Sequence, residues 1–303
     1  ERVETCMIEL CLREEIMWRQ RARIQWLAEG DSNTKFFHRK VSARKAKNRI
    51  TELQRPDGST CMDEHEMTDM ATSFYINLYA SEPTVGIEEV LSHIPSRVDA
   101  SMNASLNAHY TNAEVKTALF QMFPTKAPGP DGFTGIFFKR CWEIIKHDLM
   151  RVIQSFDSLH TSHLQWLNSA NVVLLPKKEG AEGVSDYRPI SLVHAMAKII
   201  AKILSLWLAP HMDVLVSNAQ SAFIKKRSIH DNFMYVRNFA RRLHKRKTSA
   251  LLFKLDIRKA FDSVKWEYIL DLLQRKGFPC KFRNWIAALL SSSSSRVLLN
   301  GLP

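Results

Sequence analysis

The chain is 303 residues long, with 45% hydrophobic content and a formal net charge of +12. At roughly 100–200 residues per domain this is one large or two modest domains with enough apolar residues for a core. No run reaches the roughly 18 apolar residues of a membrane span, the opening ERVETCMIELCLREE has no signal-peptide pattern, and Cys6, Cys11, Cys61, Cys141 and Cys280 are scattered and odd in number, which suits reduced thiols better than a disulfide framework or a zinc site.

In chain order, residues 1–29 read as a helix stopped by Gly30, and Asp31 or Ser32 is placed to cap a second, basic helix running to about Ala46. RPDG at 55–58 marks a turn between two short strand-like pieces. Residues 61–125 read as acidic helices and loops, with one helix over 67–79 and another over 112–122 introduced by Thr111 or Asn112. PGPDG at 128–132 is a proline-glycine corner whose plain reading is a rigid surface turn. Cys141, Trp142, Ile145, Leu149, Val152, Ile153 and Phe156 predict an amphipathic helix over 138–156. Met196, Ile199, Ile200, Ile203, Leu204, Trp207 and Leu208 predict another, ended by Pro210; such stripes are core.

Between those helices, NVVLLP at 171–176 predicts a strand stopped by proline, which leaves Lys177 and Lys178 at its exposed end. A polar loop over 179–185 then leads back to Arg188, a path that can bring a lysine and an arginine to one side of a cleft. An ammonium suits phosphate as a point charge and a guanidinium by its planar fork, although an isolated lysine pair is by itself an ordinary solvated feature.

The stretch ALLFKLDIRKAFDSV at 250–264 carries the sharpest pattern. An apolar run over 251–255, broken only by Lys254, predicts a buried strand, with Asp256 at its end and Phe261 and Asp262 just beyond. Trp266, Ile269, Leu270 and Leu273 then give a helical apolar face that Gly277 stops. A carboxylate at the end of a strand is placed to meet Mg²⁺, which prefers hard oxygen ligands. Asp is also simply at home at strand ends and helix caps.

Charge is unevenly spread. Residues 61–125 carry two Lys or Arg against nine Asp or Glu, and residues 126–303 carry 28 against 13, so the basic surplus belongs to the ends of the chain. Two stretches are densest: 17–49, with Trp18, Trp26, Phe36 and Phe37 among ten basic residues, and 225–247, with nine basic residues and one acid, Asp231. Basic stripes with interleaved aromatics suit phosphate backbones and unpaired bases, and equally suit a solvated helix face. No HExxH, CxxC, HxH, GxGxxG or GKS/T pattern and no nucleophile elbow is present.

Taken in order, KAPGPDG at 126–132, NVVLLPKK ending at Lys178, DYRPISL at 186–192, QSAFIKKRSIHDN at 220–232 and FKLDIRKAFD at 253–262 resemble the reverse transcriptase of non-LTR (LINE-type) retroelements, of the kind abundant in plants. WLAEGDSNTKFFHRK at 26–40 resembles the segment that precedes the polymerase in that family. The resemblance implies an α+β right-hand polymerase fragment: a basic helical N-terminal extension over 1–60, an acidic helical or linker segment over 61–125, and fingers with the first part of a palm over 126–303. It implies Asp256 as the first metal-binding aspartate for Mg²⁺, Phe261 as the aromatic that crowds a 2′-hydroxyl, and Lys177 and Arg188 as the clamp on the incoming triphosphate. Gln220, Arg227 and Asn232 match positions along template and primer. The implied partners are an RNA template, a DNA primer and dNTPs, with no membrane. The implied compartment is the nucleus, and the oligomeric state is left open.

Two departures qualify what the resemblance implies. The family's Gln-Gly-containing motif and Ala-Asp-Asp hairpin are not among these residues, and a two-metal site needs more than one carboxylate. The expectation is a chain truncated before those motifs and inactive alone, with a non-catalytic nucleic-acid-binding remnant of a retroelement as the alternative. Lys226 stands where the family commonly has glycine, either as an added phosphate contact or as a disturbed turn.

Overall fold

The computed structural model of the chain describes residues 2–22, 34–80, 85–160, 162–257, 260–261 and 263–302. It is an α+β protein whose contacts divide into two compact units: Glu1–Phe74 with Asn171–Leu192 and Ser295–Pro303, and Tyr75–Ala170 with Val193–Ser294. These units cut across the three consecutive segments read from charge.

The first unit opens with helices α1 (Arg2–Ala22) and α2 (Thr34–Asn48). The Gly30 stop and the cap at Asp31 or Ser32 lie outside the described residues. The helices meet where Trp18 packs edge-on against His38, 4.4 Å between ring centroids, and where the Arg44 guanidinium donates to the Ala22 carbonyl at 3.2 Å. That carbonyl ends α1 and has no partner within its own helix, so a cation from the neighbour suits it.

Strands β1 (Leu53–Gln54) and β2 (Thr60–Cys61) form the hairpin that RPDG predicts, antiparallel with Leu53 opposite Cys61. Gly58 takes φ 87° and donates its N–H to the Arg55 carbonyl at 3.0 Å, a conformation that favours glycine. Helix α3 (Glu64–Tyr79) starts under the Asp63 carboxylate, which accepts from the Glu66 N–H. Arg55 forks onto Glu66 at 2.6 and 2.8 Å and so ties the hairpin to α3. Chiefly the Arg55 guanidinium, with the nearby Cys61 thiol adding to it, brings the Glu66 carboxyl from the ordinary 4.5 down to about 2. Burial pushes the Cys61 thiol up, which leaves it protonated and unreactive.

That pairing fixes a pH dependence. Glu66 is more acidic folded than unfolded, so its contribution is complete above about pH 4.5 and is lost as pH falls toward 2. The melting temperature of the wild type is therefore expected to fall more steeply across that window than that of Glu66→Gln. Parallel slopes in the two acid series would show that the fork stabilises nothing.

The remainder of this unit is a three-stranded sheet with β3 (Ser169–Pro176) between β4 (Tyr187–Val193) and β5 (Ser294–Leu298). Along β3 the buried residues are alternate, Ala170, Val172 and Leu174, the period-two pattern of a strand with one face inward. Asn300 closes the unit by accepting from the Ile50 N–H at 2.8 Å and donating to its carbonyl at 2.9 Å.

The second unit is helical: α4 (Ile87–Ser92), α5 (Ala100–Leu106), α6 (Asn112–Gln121), α7 (Gly135–Arg140), α8 (Trp142–Asp157), α9 (Leu164–Leu167), α10 (Ala195–Leu208), α11 (Met212–Leu215), α12 (Ile229–Lys245), α13 (Trp266–Arg275) and α14 (Cys280–Ser291). Thr111 caps α6 in a capping box with Glu114, and Glu114 also accepts from the Trp207 indole at 2.6 Å. The helix expected over 138–156 is two helices, α7 and α8, meeting at Cys141. The core gathers Val115 and Leu119 of α6, Ile153 of α8, Ile199, Ile200 and Ile203 of α10, and Trp285 of α14. Ala195–Leu215 is long and apolar enough by composition to cross a membrane; it comprises α10, whose buried stripe joins that core cluster, a 3-10 turn through Pro210, and α11.

One expectation is overturned. Residues 251–255 form no strand, and Leu251, Leu252, Phe253 and Leu255 are largely exposed. A strand exists only when a neighbour takes its N–H and C=O groups, and no strand among the described residues pairs with this one.

Candidate nucleotide and nucleic-acid site

Lys177 and Arg188 stand at the open ends of β3 and β4. The Lys177 N–H donates to the Asp186 carbonyl at 2.8 Å, which closes the loop between the strands, and its ammonium reaches the Ser185 carbonyl at 2.5 Å. Lys178 pairs with Asp186 at 3.2 Å and holds that carboxyl below its ordinary value. Arg188 is exposed and has no ion-pair partner among the described residues. Beside this loop lies a polar cavity of about 370 Å³, with Lys47, Arg49, Lys178 and Tyr187 in its wall. The strand and loop read from sequence are present, the segment that returns to Arg188 is itself a strand, and together they leave the Arg188 guanidinium free for an anion.

Gln220, Arg227 and Asn232, of the second unit, are brought together around one loop. The Arg227 side chain is only 11% exposed. Its guanidinium donates to the carbonyls of Ser217 at 2.6 Å, Gln220 at 2.8 Å and Val216 at 3.1 Å, and to the Asp213 carboxylate at 2.9 Å. The Asn232 amide donates to the Ala219 carbonyl at 3.1 Å and the Ser221 hydroxyl at 3.0 Å, and the Gln220 amide to the Ala222 carbonyl at 3.2 Å. All three therefore hold the loop between α11 and α12.

Held in this way, the loop turns twice through left-handed backbone, at Phe223 (φ 65°) and Lys226 (φ 72°). The second turn closes when the Arg227 N–H donates to the Ile224 carbonyl at 3.2 Å, which puts Lys226 third of the four residues, a slot that favours glycine when φ is positive. A lysine there is strained by ~1 kcal/mol, because its Cβ crowds the following carbonyl. Lys226→Gly is expected to stabilise the chain, by up to about 1 kcal/mol after the entropy of glycine is offset. An unchanged or lower denaturation midpoint would show that the lysine side chain repays the strain.

The KAPGPDG corner has a role the sequence did not disclose. The Asp131 carboxylate accepts from the Ala195 N–H at 3.4 Å, at the start of α10, and pairs with His194 Nδ1 at 3.2 Å. His194 Nε2 lies 3.0 Å from the Ser169 hydroxyl. Gly129 packs so closely on the same segment that a Cβ would fall 2.5 Å from the Val193 carbonyl oxygen. The corner is a remote cap for α10, and its only signal in the sequence is an Asp between two glycines.

Asp256 and Phe261 are both exposed, Phe261 at 81%. Asp262 lies outside the described residues. No group of three His, Cys, Asp or Glu side chains that could hold a metal ion occurs among the described residues. Asp256 offers one carboxylate, and a two-metal site needs more than one.

Residues 175–303 match the family of reverse transcriptases (RNA-dependent DNA polymerases). Every residue singled out above from Lys177 to Phe261 lies inside that match. The chain is 30% identical, over 92% of its length, to the transposon TX1 uncharacterized 149 kDa protein of Xenopus laevis, of which it covers 21%. It is also 27% identical, over 68% of its length, to the Pol polyprotein from retrotransposable element R2 of Nasonia vitripennis, covering 19% of it, and 28% identical over 54% to that of element R2DM of Drosophila melanogaster, covering 15%. The chain thus spans about a fifth or less of the length of these relatives.

Proposed function

We propose that the chain forms the fingers and the first part of the palm of an RNA-directed DNA polymerase from a non-LTR retroelement of the kind abundant in plants, working in the nucleus on an RNA template, a DNA primer and dNTPs. The observation that carries this reading is the order of Lys177, Arg188, Gln220, Arg227, Asn232, Asp256 and Phe261 within the 175–303 match. In the reaction, the primer 3′-hydroxyl attacks the α-phosphorus of a dNTP and the bond to pyrophosphate breaks. Arg188 and Lys177 take the triphosphate charge, Phe261 crowds a 2′-hydroxyl, and Asp256 would supply one carboxylate to Mg²⁺, which would neutralise phosphate charge there. Gln220, Arg227 and Asn232 shape the loop that borders template and primer.

The test is equilibrium binding of dTTP to the 303-residue chain in the presence of an RNA template and DNA primer. A hydrogen bond to a charged group is worth ~1.5–3 kcal/mol, so Arg188→Ala is expected to weaken dTTP binding roughly 10-fold or more. Phe261→Ala is expected to narrow the preference for dTTP over UTP. Primer extension by these residues alone is expected to be absent, since Asp256 has no companion ligands among the described residues. Binding of dTTP that ignores both substitutions would sink the reading. The alternative is a non-catalytic nucleic-acid-binding remnant, which would bind template and primer but no dTTP.

A further inference from the structure

We infer that Phe223 is a stacking platform for an unpaired base of single-stranded nucleic acid, with Lys225 and Lys226 on the adjoining phosphates. The inference rests on the polymerase reading and adds to it a residue that no matched motif role covers.

Phe223 is 91% exposed and takes φ 65°. A bulky side chain at positive φ is an outlier that persists only when its surroundings over-determine it. Arg227 supplies that constraint through the carbonyls of Ser217 and Gln220, and Asn232 through Ala219 and Ser221. Ser221, two residues before the ring, is buried. The loop is therefore anchored on its inner side while its tip holds an aromatic ring in solvent.

Among the described residues the ring has one aromatic neighbour, Phe261, with centroids 5.9 Å apart and planes at 84°. The two do not close into a parallel stack, and both stay mostly exposed. Lys225 and Lys226 are exposed and have no ion-pair partner among the described residues. Helix α12, which follows, displays Arg237, Arg241 and Arg242 to solvent. An open ring beside unpaired cations matches a base with a phosphate on either side, because every base offers a π-face and every linkage a negative charge. An apolar protein segment would use the ring and leave the cations unused.

The test compares a 12-nucleotide oligouridylate with an abasic sugar-phosphate oligomer of the same length and charge, by fluorescence anisotropy at fixed salt. Phe223→Ala is expected to weaken oligouridylate binding roughly 5- to 100-fold and to leave the abasic oligomer within about twofold, while Phe223→Trp keeps both affinities. Phe223→Gly separates strain from stacking: it is expected to raise the melting temperature and still to lose oligouridylate as the alanine variant does. Wild-type oligouridylate affinity in Phe223→Ala, the outcome for a ring that receives a protein segment, would overturn the proposal. Equal loss of both oligomers would also overturn it, since that marks collapse of the loop. Because dTTP binding is read at Arg188 and oligouridylate binding at Phe223, failure here is distinguishable from failure of the polymerase reading.

Discussion

Gly129→Ala is expected to destabilise the chain by about 3 kcal/mol, the upper part of the range for overpacking, and to lower the melting temperature by roughly 6–12 °C. A Cβ on Gly129 would lie 2.5 Å from the Val193 carbonyl oxygen and 2.6 Å from the His194 nitrogen, both well inside van der Waals contact. These are backbone atoms at the junction of β4 and α10, so no rotamer change can clear them. Either the junction moves or the corner lifts, and lifting separates Asp131 from the Ala195 N–H and from His194. Asp131→Ala isolates the second effect. It removes the cap alone and is expected to cost only ~1 kcal/mol. Thermal unfolding followed by circular dichroism reads both, and a Gly129→Ala variant that melts with the wild type would show that the contact relaxes freely.

Arg227→Ala is expected to have an effect of similar size but local, a loss of about 2–4 kcal/mol in the free energy that holds the loop between α11 and α12. Four acceptors share this guanidinium, and removing it takes the side-chain donor from the carbonyls of Val216 and Gln220, while Ser217 keeps the Gln220 N–H at 3.1 Å. Arg227→Lys keeps the charge but not the fork, so less than half of the loss is expected to return. Amide hydrogen exchange is the suitable measurement, because the loop can open locally while α10 stays protected. Protection over 217–232 should fall by about one to three orders of magnitude in the alanine variant. Full recovery by lysine would show that charge alone suffices and that the directional bonds contribute nothing.

Much of the local structure was legible in the sequence. RPDG at 55–58 gives the hairpin because a glycine at positive φ closes the turn. Thr111 and Glu114 make their capping box over a single turn of helix. The alternation of Ala170, Val172 and Leu174 and the stripe of Ile199, Ile200 and Ile203 each state which face is inward. Even the strained turn at Lys226 was marked by a lysine where the resembled family commonly has glycine. The candidate site was read from the sequence as a list of residues, and all of them lie within the matched segment.

What these examples share is range. Capping, turn closure and amphipathic periodicity are decided by groups within a few residues of each other, so the chain by itself determined them, together with the basic charge that suits a phosphate-bearing partner. Tertiary structure decided the rest, because the acceptor or the neighbour comes from far along the chain. The Asp131 carboxylate became the cap of α10, beginning at Ala195. The Asn300 amide closed on the Ile50 backbone, 250 residues away. The apolar run over 251–255 has the composition of a buried strand and stands exposed, because side chains set the preference for a strand and only a hydrogen-bonding neighbour completes one.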